Sequence, residues 1–356
     1  MDILKTDLEY NCYCGTGEAD KFVSAFIFDG RRKADPASVR IAIISDRIVS
    51  GYYYNMFEDQ FLKRGVKPVL IPVECSEGQK GLAEASAVYD YLVDFGFGSN
   101  DWIIALGGGG ILDVAGFCAS VFEGGINFLA VPTTPDSMYE GAVAKNAYLN
   151  SKKLKNAISV PFKPDAVIID PSYLKTVPAK IKHNGYADII RLGILGNLNI
   201  LIELVKYGNV REFLNHTYAL RHSINETSPK LLNLGNELAA AIEGYFRFMN
   251  YSDGEALALS LMSCVEEKSR GPLAKIYEML GLPVKLEGVS TRSIMKILKE
   301  NLARNGSGTF EVVDISDDEP RRWMIKKVTM DEACEIFAKR LEVIKSDAEG
   351  SGNVQT

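Results

Sequence analysis

Four consecutive glycines, Gly107, Gly108, Gly109 and Gly110, stand between the apolar run "WIIAL" and the segment "ILDVAGF". A strand that enters such a stretch and leaves it as a helix exposes backbone N–H groups and a helix N-terminus to an anion, with no side chain to hold the anion away. A dinucleotide pyrophosphate suits this arrangement; the bland alternative is a tight strand-to-helix turn with no ligand. Asp113 follows, placed either to cap that helix or to face the nicotinamide end of a cofactor. Other polar groups fall at the ends of other apolar runs. Asp46 in "SDRIV" suits the hydroxyls of an adenosine ribose, "SEGQKGL" contributes Glu77 and Lys80, and Thr133 and Thr134 in "VPTTPD" offer hydroxyls at a sheet's carboxyl edge.

A second group lies further along. The stretch from Leu231 to Leu259, "LLNLGNELAAAIEGYFRFMNYSDGEALAL", reads as a helix, a turn and the start of another helix. It carries an isolated Asn236 on a small, apolar run and then the acids Asp253 and Glu255. Ser252 to Glu255 fits a capping box, and both acids are favourable at a helix N-terminus, so local structure can account for them without an ion.

The elements that must position these residues follow from the pattern of apolar runs. "IAIISD" (41–46), "PVLIPV" (68–73), "WIIALGG" (102–108), "NFLAVP" (127–132) and "AVIID" (166–170) read as buried strands with helix-length segments between most of them. That alternation predicts a parallel sheet covered by helices. After about Tyr173 the pattern changes to amphipathic helices, interrupted by "TFEVVDISDDEPRRWMIKKVT", which reads as a β-hairpin with a polar tip. The expected architecture is an α/β, Rossmann-like dinucleotide-binding domain over 1–175, a mainly α-helical domain over 176–345 and a flexible tail over 346–356. The cleft between the two domains is the default site.

Composition narrows the classes. The chain has 356 residues, 47% of them hydrophobic and 24% charged, as in an ordinary globular protein. A net charge of −6 argues against a nucleic-acid partner, since no basic block is available to release phosphate counterions. "MDILKTDLEY" lacks a signal pattern and no uncharged apolar run is long enough to span a bilayer, so a cytoplasmic protein with no membrane partner is expected. The six scattered cysteines have neither zinc nor redox spacing and read as mostly buried small apolar residues.

Taken together, "ALGGGGILDVAGF", "VPTT", "KNAISVPFKPDAVIIDPSYLKTVP", "GYADIIRLG", "LNLGNELAAAIE" and "DGEALAL" resemble, in order and near-separation, the motifs of 3-dehydroquinate synthase and its relatives, the sugar-phosphate cyclases. The resemblance covers most of the chain. It implies the two-domain fold just described, bound NAD, a homodimer and a small sugar-derived substrate. It also implies a divalent metal, held in the family by a glutamate in "AEVIK" and by histidines in "GHT" and "HGEA". Those places hold Asp188, Asn236 and Asp253 here, and none of the three histidines, His183, His216 and His222, falls in either motif. As hard oxygen donors the three would suit Mg²⁺ or Mn²⁺ better than Zn²⁺. The alternative, which we adopt as the expectation, is that the metal is lost, because three weak ligands replace a set containing two imidazoles.

The resemblance carries other roles over with changes. Glu140 stands at an aspartate and Asn146 at a lysine, with Lys145 one step away, while Asn150 and Lys155 are retained. Arg191 replaces the lysine of "EVIK", Leu112 a glycine before Asp113, Pro229 or Lys230 an arginine, and Ala240 a histidine. The catalytic candidates are therefore Glu140 for acid–base work, Asn150 for orientation, and Lys145, Lys155 and Arg191 for anion or oxygen binding. Three functions remain open at this level: an NAD-dependent carbocycle-forming lyase in specialised biosynthesis, an NAD(P)-dependent polyol or glycerol-phosphate-type dehydrogenase, and a non-catalytic homologue acting as a partner subunit.

Overall fold

The apolar runs that read as strands are strands. In the computed structural model the first part of the chain forms a sheet from β1 (Asp2–Ile3), β2 (Asn11–Cys14), β3 (Ile41–Ser45), β4 (Val69–Pro72), β5 (Trp102–Gly107) and β6 (Asn127–Pro132). A separate antiparallel pair, β7 (Asn146–Leu149) and β8 (Ile158–Pro161), precedes the last sheet strand, β9 (Ala166–Ile169). The description covers residues 1–356 other than 7, 32, 76–78, 152–154, 207–209, 248, 305–307, 316–322 and 347–356. The polar tip expected for the hairpin and nearly all of the expected tail, 347–356, lie outside the described residues.

By contacts the chain divides into Met1–Gly185 with Asn209–Ala219, and Tyr186–Gly208 with Leu220–Thr356. In the first unit the strand order is β1-β2-β9-β6-β5-β3-β4, parallel throughout except for the antiparallel β1-β2 pair. The sequence pattern did not reveal β1 and β2, whose two- and four-residue lengths leave too little periodicity to read. Every residue of β3, β5 and β9 is buried, which is why those runs are continuously apolar rather than alternating.

Helices α1 (Ala19–Asp29), α2 (Arg47–Leu62), α3 (Leu82–Asp94) and α4 (Gly109–Val121) connect the strands, followed by the short α5 (Pro135–Tyr139). The connection after β3 leads to β4 on one side, whereas β5 lies on the other side of β3. The carboxyl ends of β3 and β5 therefore flank a topological switch point, the place where open α/β sheets form a binding crevice. Register brings Ser45 beside Leu106 and Gly107 beside Pro132, so the loops after β3, β5 and β6 leave the sheet at one level.

Helix α6 (Ala179–Leu195) follows, with Gly185 pressed on the loop at the start of α5. A Cβ on Gly185 would lie 2.6 Å from Pro135 Cβ and 2.7 Å from the Asp136 amide nitrogen, so only glycine fits. The rest is mainly helical: α7 (Asn199–Lys206), α8 (Val210–Thr227), α9 (Asn236–Tyr245), α10 (Asp253–Cys264), α11 (Glu267–Leu280), α12 (Thr291–Arg304) and, after the hairpin, α13 (Met330–Ile344). The hairpin is β10 (Thr309–Ile315) with β11 (Trp323–Thr329), in register from Thr309↔Thr329 to Ile315↔Trp323. In the second unit α12 buries Ile294, Leu298 and Leu302, and α13 buries Ala333, Phe337, Leu341 and Ile344, each one apolar stripe at helical spacing. Among the described residues no helix is long and apolar enough to cross a membrane.

The cysteines behave as the sequence suggests. Cys12, Cys14, Cys118 and Cys264 are buried, and burial pushes the Cys12 and Cys118 thiols up to about 12 and Cys14 up to about 11. Such thiols stay protonated and pack as small apolar groups.

Candidate functional site

In the first unit Asp46, the glycine run, Thr133 and Thr134 gather at the carboxyl edge of the sheet. Asp46 directly follows β3 and is the N-cap of α2, its Oδ1 accepting from the amides of Ile48 at 2.8 Å and Val49 at 2.9 Å. That cap fixes the carboxylate at the switch point. Gly107 ends β5 and Gly108 is the N-cap of α4, so the glycine run is the strand-to-helix turn that was expected. Packing by itself demands glycine at one of the four places and leaves little room for a side chain at a second. A Cβ on Gly107 would stand 2.7 Å from Ile111 Cβ, and one on Gly108 would stand 3.2 Å from both Cγ2 and Oγ1 of Thr134. Gly109 and Gly110 form the first turn of α4, whose leading amides have no partner within the helix.

Thr133 and Thr134 complete this edge from β6. The Thr133 amide donates to the Gly107 carbonyl at 3.0 Å. The residue is 2% exposed, and its hydroxyl has no hydrogen-bond partner among the described residues. A buried hydroxyl without a partner is costly, and a ligand that hydrogen-bonds it would remove the cost. Thr134 is differently employed: it caps α5 and donates from Oγ1 to Ser137 Oγ at 2.9 Å. The turn, the helix terminus and the Thr133 hydroxyl fit a dinucleotide.

Asp113 does not cap α4. It lies in the second turn, where Oδ2 pairs with the buried ammonium of Lys80 at 2.5 Å and Oδ1 accepts from the Tyr148 amide at 2.9 Å. The reason is the register of the neighbouring strand, which a reading of α4 alone cannot supply. Asn150 joins the same group, its amide donating to the Lys80 carbonyl at 2.7 Å, while its Oδ1 accepts from the Asn156 amide at 2.8 Å. Lys80, Asp113 and Asn150 are thus one linked cluster. Glu140, half-buried, sits between α5 and the turn at Gly141–Val143; Lys145 is exposed and Lys155 half-buried in flanking loops. Glu77 lies outside the described residues.

In the second unit Asp188 and Asn236, which the resemblance puts at metal-ligand positions, meet on a cation. Asp188 and Arg191 are one turn apart on α6, with Arg191 Nη2 donating to Asp188 Oδ1 at 2.7 Å. The other terminal nitrogen of the same guanidinium, Nη1, donates to Asn236 Oδ1 at 2.9 Å. The side chains of Arg191 and Asp188 are 7% and 17% exposed. Asn236 reaches this place because Gly235, at φ 88°, turns the chain into α9; a Cβ there would press on Leu257, Leu261 and Ser260 of α10 at 3.1–3.3 Å. Asp253 is the first residue of α10, behind the Ser252 N-cap, and the capping box forms: Ser252 N donates to Glu255 Oε2 at 2.8 Å and Glu255 N to Ser252 Oγ at 3.3 Å. Among the described residues no group of three His, Cys, Asp or Glu side chains is arranged to hold a metal ion.

One neighbour escaped the sequence reading. Glu237, next to Asn236, lines a cavity of about 330 Å³ in the second unit together with Lys230, Thr309, Glu311 and Lys327. Burial raises its carboxyl pKa, while its own backbone amide and the charges of Arg340 and Arg191 pull the other way. Its only sequence signal was an acid inside the run "NELAAAIE", where a solvated helix face is the ordinary reading.

Residues 70–184 match the family of the 3-dehydroquinate synthase N-terminal domain. The 3-dehydroquinate synthase of Enterococcus faecalis is 29% identical over 257 residues, covering 68% of this chain and 72% of that protein. Among solved structures, 2-deoxy-scyllo-inosose synthase, complexed with carbaglucose-6-phosphate, NAD⁺ and Co²⁺, superposes with a TM-score of 0.74 at 16% identity, covering 95% of this chain and 99% of that one. The 2-epi-5-epi-valiolone synthase of Streptomyces hygroscopicus subsp. jinggangensis, with NAD⁺ and Zn²⁺ bound, gives 0.75 at 19% identity, covering 96% and 99%. At such identities the superpositions establish the fold: an α/β unit and a helical unit of the kind the motifs implied.

Proposed function

We propose, from the premise that this chain belongs to the 3-dehydroquinate synthase-like sugar-phosphate cyclases, that it is an NAD-dependent carbocycle-forming lyase on a sugar-derived or polyol substrate, divergent in its polar groups, serving specialised biosynthesis and working without a divalent metal. NAD, when bound, would supply a transient acceptor for hydride from the carbon that bears a substrate hydroxyl. The chain's own residues hold and orient. The first turn of α4 takes the pyrophosphate, Asp46 the adenosine ribose, and the Thr133 hydroxyl a polar atom of the dinucleotide. Lys80 and Asp113 keep the wall beside that turn in place, with Asn150 anchored to it. Glu140 exchanges the proton at the carbon made acidic by oxidation, and Lys155 and Arg191 bind substrate oxygens.

The observation that carries this reading is the Thr133 hydroxyl, without a partner among the described residues, beside the glycine turn at the switch point. Mass spectrometry of the supernatant from denatured, purified protein tests it: NAD is expected at close to one equivalent per chain. A protein that neither carries NAD nor binds it in a calorimeter would shift the assignment to a non-catalytic homologue. Net accumulation of NADH with a polyol would favour the dehydrogenase reading instead.

A further inference from the structure

We infer that the chain carries its own cation at the place where the cyclases hold a metal: the Arg191 guanidinium takes that seat, and Asp188 and Asn236 position it rather than ligate an ion. This deepens the functional reading above and rests on it only for the statement that the cation serves a substrate site. The geometry is specific. Two oxygens from two helices, Asp188 Oδ1 of α6 and Asn236 Oδ1 of α9, converge on the two terminal nitrogens of one planar group at 2.7 and 2.9 Å. A guanidinium is built to span two such acceptors, since its donors are held in a rigid fork and it stays protonated at every accessible pH.

A positive charge at position 191 is not by itself enough to exclude a metal. The family motif "EVIK" puts a lysine there beside a metal-binding glutamate. An ammonium is a point charge on a flexible stem, whereas the fork of Arg191 reaches both ligand positions at once. Each oxygen would have to give up its N–H partner and accept a dication beside an undiminished positive charge, with the Arg191 and Asp188 side chains largely withdrawn from water. The donor set agrees, because a carboxylate and an amide oxygen without an imidazole make a poor seat for Zn²⁺ or Co²⁺ but good acceptors for arginine.

Metal titration tests this apart from any activity. For the wild-type protein, elemental analysis after gel filtration should find far less than one equivalent of divalent metal, and neither EDTA nor added Mg²⁺, Mn²⁺, Co²⁺ or Zn²⁺ should move the thermal midpoint. Arg191→Met removes the charge at similar volume and should bind Mn²⁺ or Mg²⁺ at least about tenfold more tightly than wild type by calorimetry. That gain should disappear in the Arg191→Met/Asp188→Ala double variant. If Arg191→Met does not fold, Arg191→Lys keeps the charge but loses the fork, and it should show a smaller gain in the same direction. Stoichiometric metal in the wild type, released by EDTA with a fall in midpoint, would overturn the inference, as would folded variants that bind metal no better than wild type. NAD retention is read separately, so failure of the lyase reading and failure of this one are distinguishable.

Discussion

Asp188 and Arg191 stand one turn apart on α6, paired at 2.7 Å, and the guanidinium that Asp188 holds is the one that donates to Asn236, 45 residues further along the chain. A pair so far removed from solvent is sensitive to loss of either partner, because the remaining charge is left in a poorly polarisable site. Asp188→Ala should cost about 2–4 kcal/mol in urea unfolding, and Asp188→Asn, which keeps an acceptor, about half of that. If both variants unfold within error of wild type, the pair does not form in solution.

Thr133→Val replaces a buried hydroxyl that has no partner among the described residues with a methyl of the same shape. The free protein should be unchanged or up to about 1 kcal/mol more stable. Dinucleotide affinity should nevertheless fall by roughly tenfold, a loss of about 1.4 kcal/mol. Calorimetry with NAD and thermal unfolding of the same samples decide the matter; unchanged affinity would remove Thr133 from the site.

Gly185→Ala places a methyl 2.6–2.7 Å from Pro135 and the Asp136 amide, where backbone and not a flexible side chain must yield. A loss of about 2–3 kcal/mol is expected. Chemical denaturation measures it, and a neutral result would mean that α6 at Gly185 does not lie against the start of α5 as described.

The carboxyl of Glu237 has its pKa raised by burial from an ordinary value of 4.5. For an acid raised on folding, the stabilising contribution is present below the unfolded value and is lost as pH rises through the folded one. Glu237→Gln should therefore match wild type near pH 4 and become progressively more stable than it as pH rises above 4.5, in thermal scans across that range. A constant difference at all pH values would show that Glu237 titrates as an exposed acid.

Much of this was legible in one dimension. Continuous apolar runs such as "IAIIS" and "WIIALG" declare strands buried on both faces, and the glycines after β5 declare a turn. The sequence "SDGE" announces a capping box that the structure contains, and the spacing of Ile294, Leu298 and Leu302 announces the buried face of α12. All of these depend on neighbours within one or two turns or along one strand. Such contacts follow chain spacing, so residue order by itself determined them.

Other relationships were decided only when distant segments packed. The switch point depends on β5 lying beside β3 on the side away from β4, an order that no single strand encodes. With only α4 in view, Asp113 could be read either as a helix cap or as facing a nicotinamide; its partners, Lys80 and the Tyr148 amide, arrive from 33 and 35 residues away. The i,i+3 spacing of Asp188 and Arg191 hinted at their pairing, but nothing local indicated that Asn236 would share the guanidinium. That depends on the left-handed turn at Gly235, which starts α9 close against α10 and sets the direction of its first side chain. Local propensity therefore supplied the donors and acceptors, while helix packing chose which of them meet.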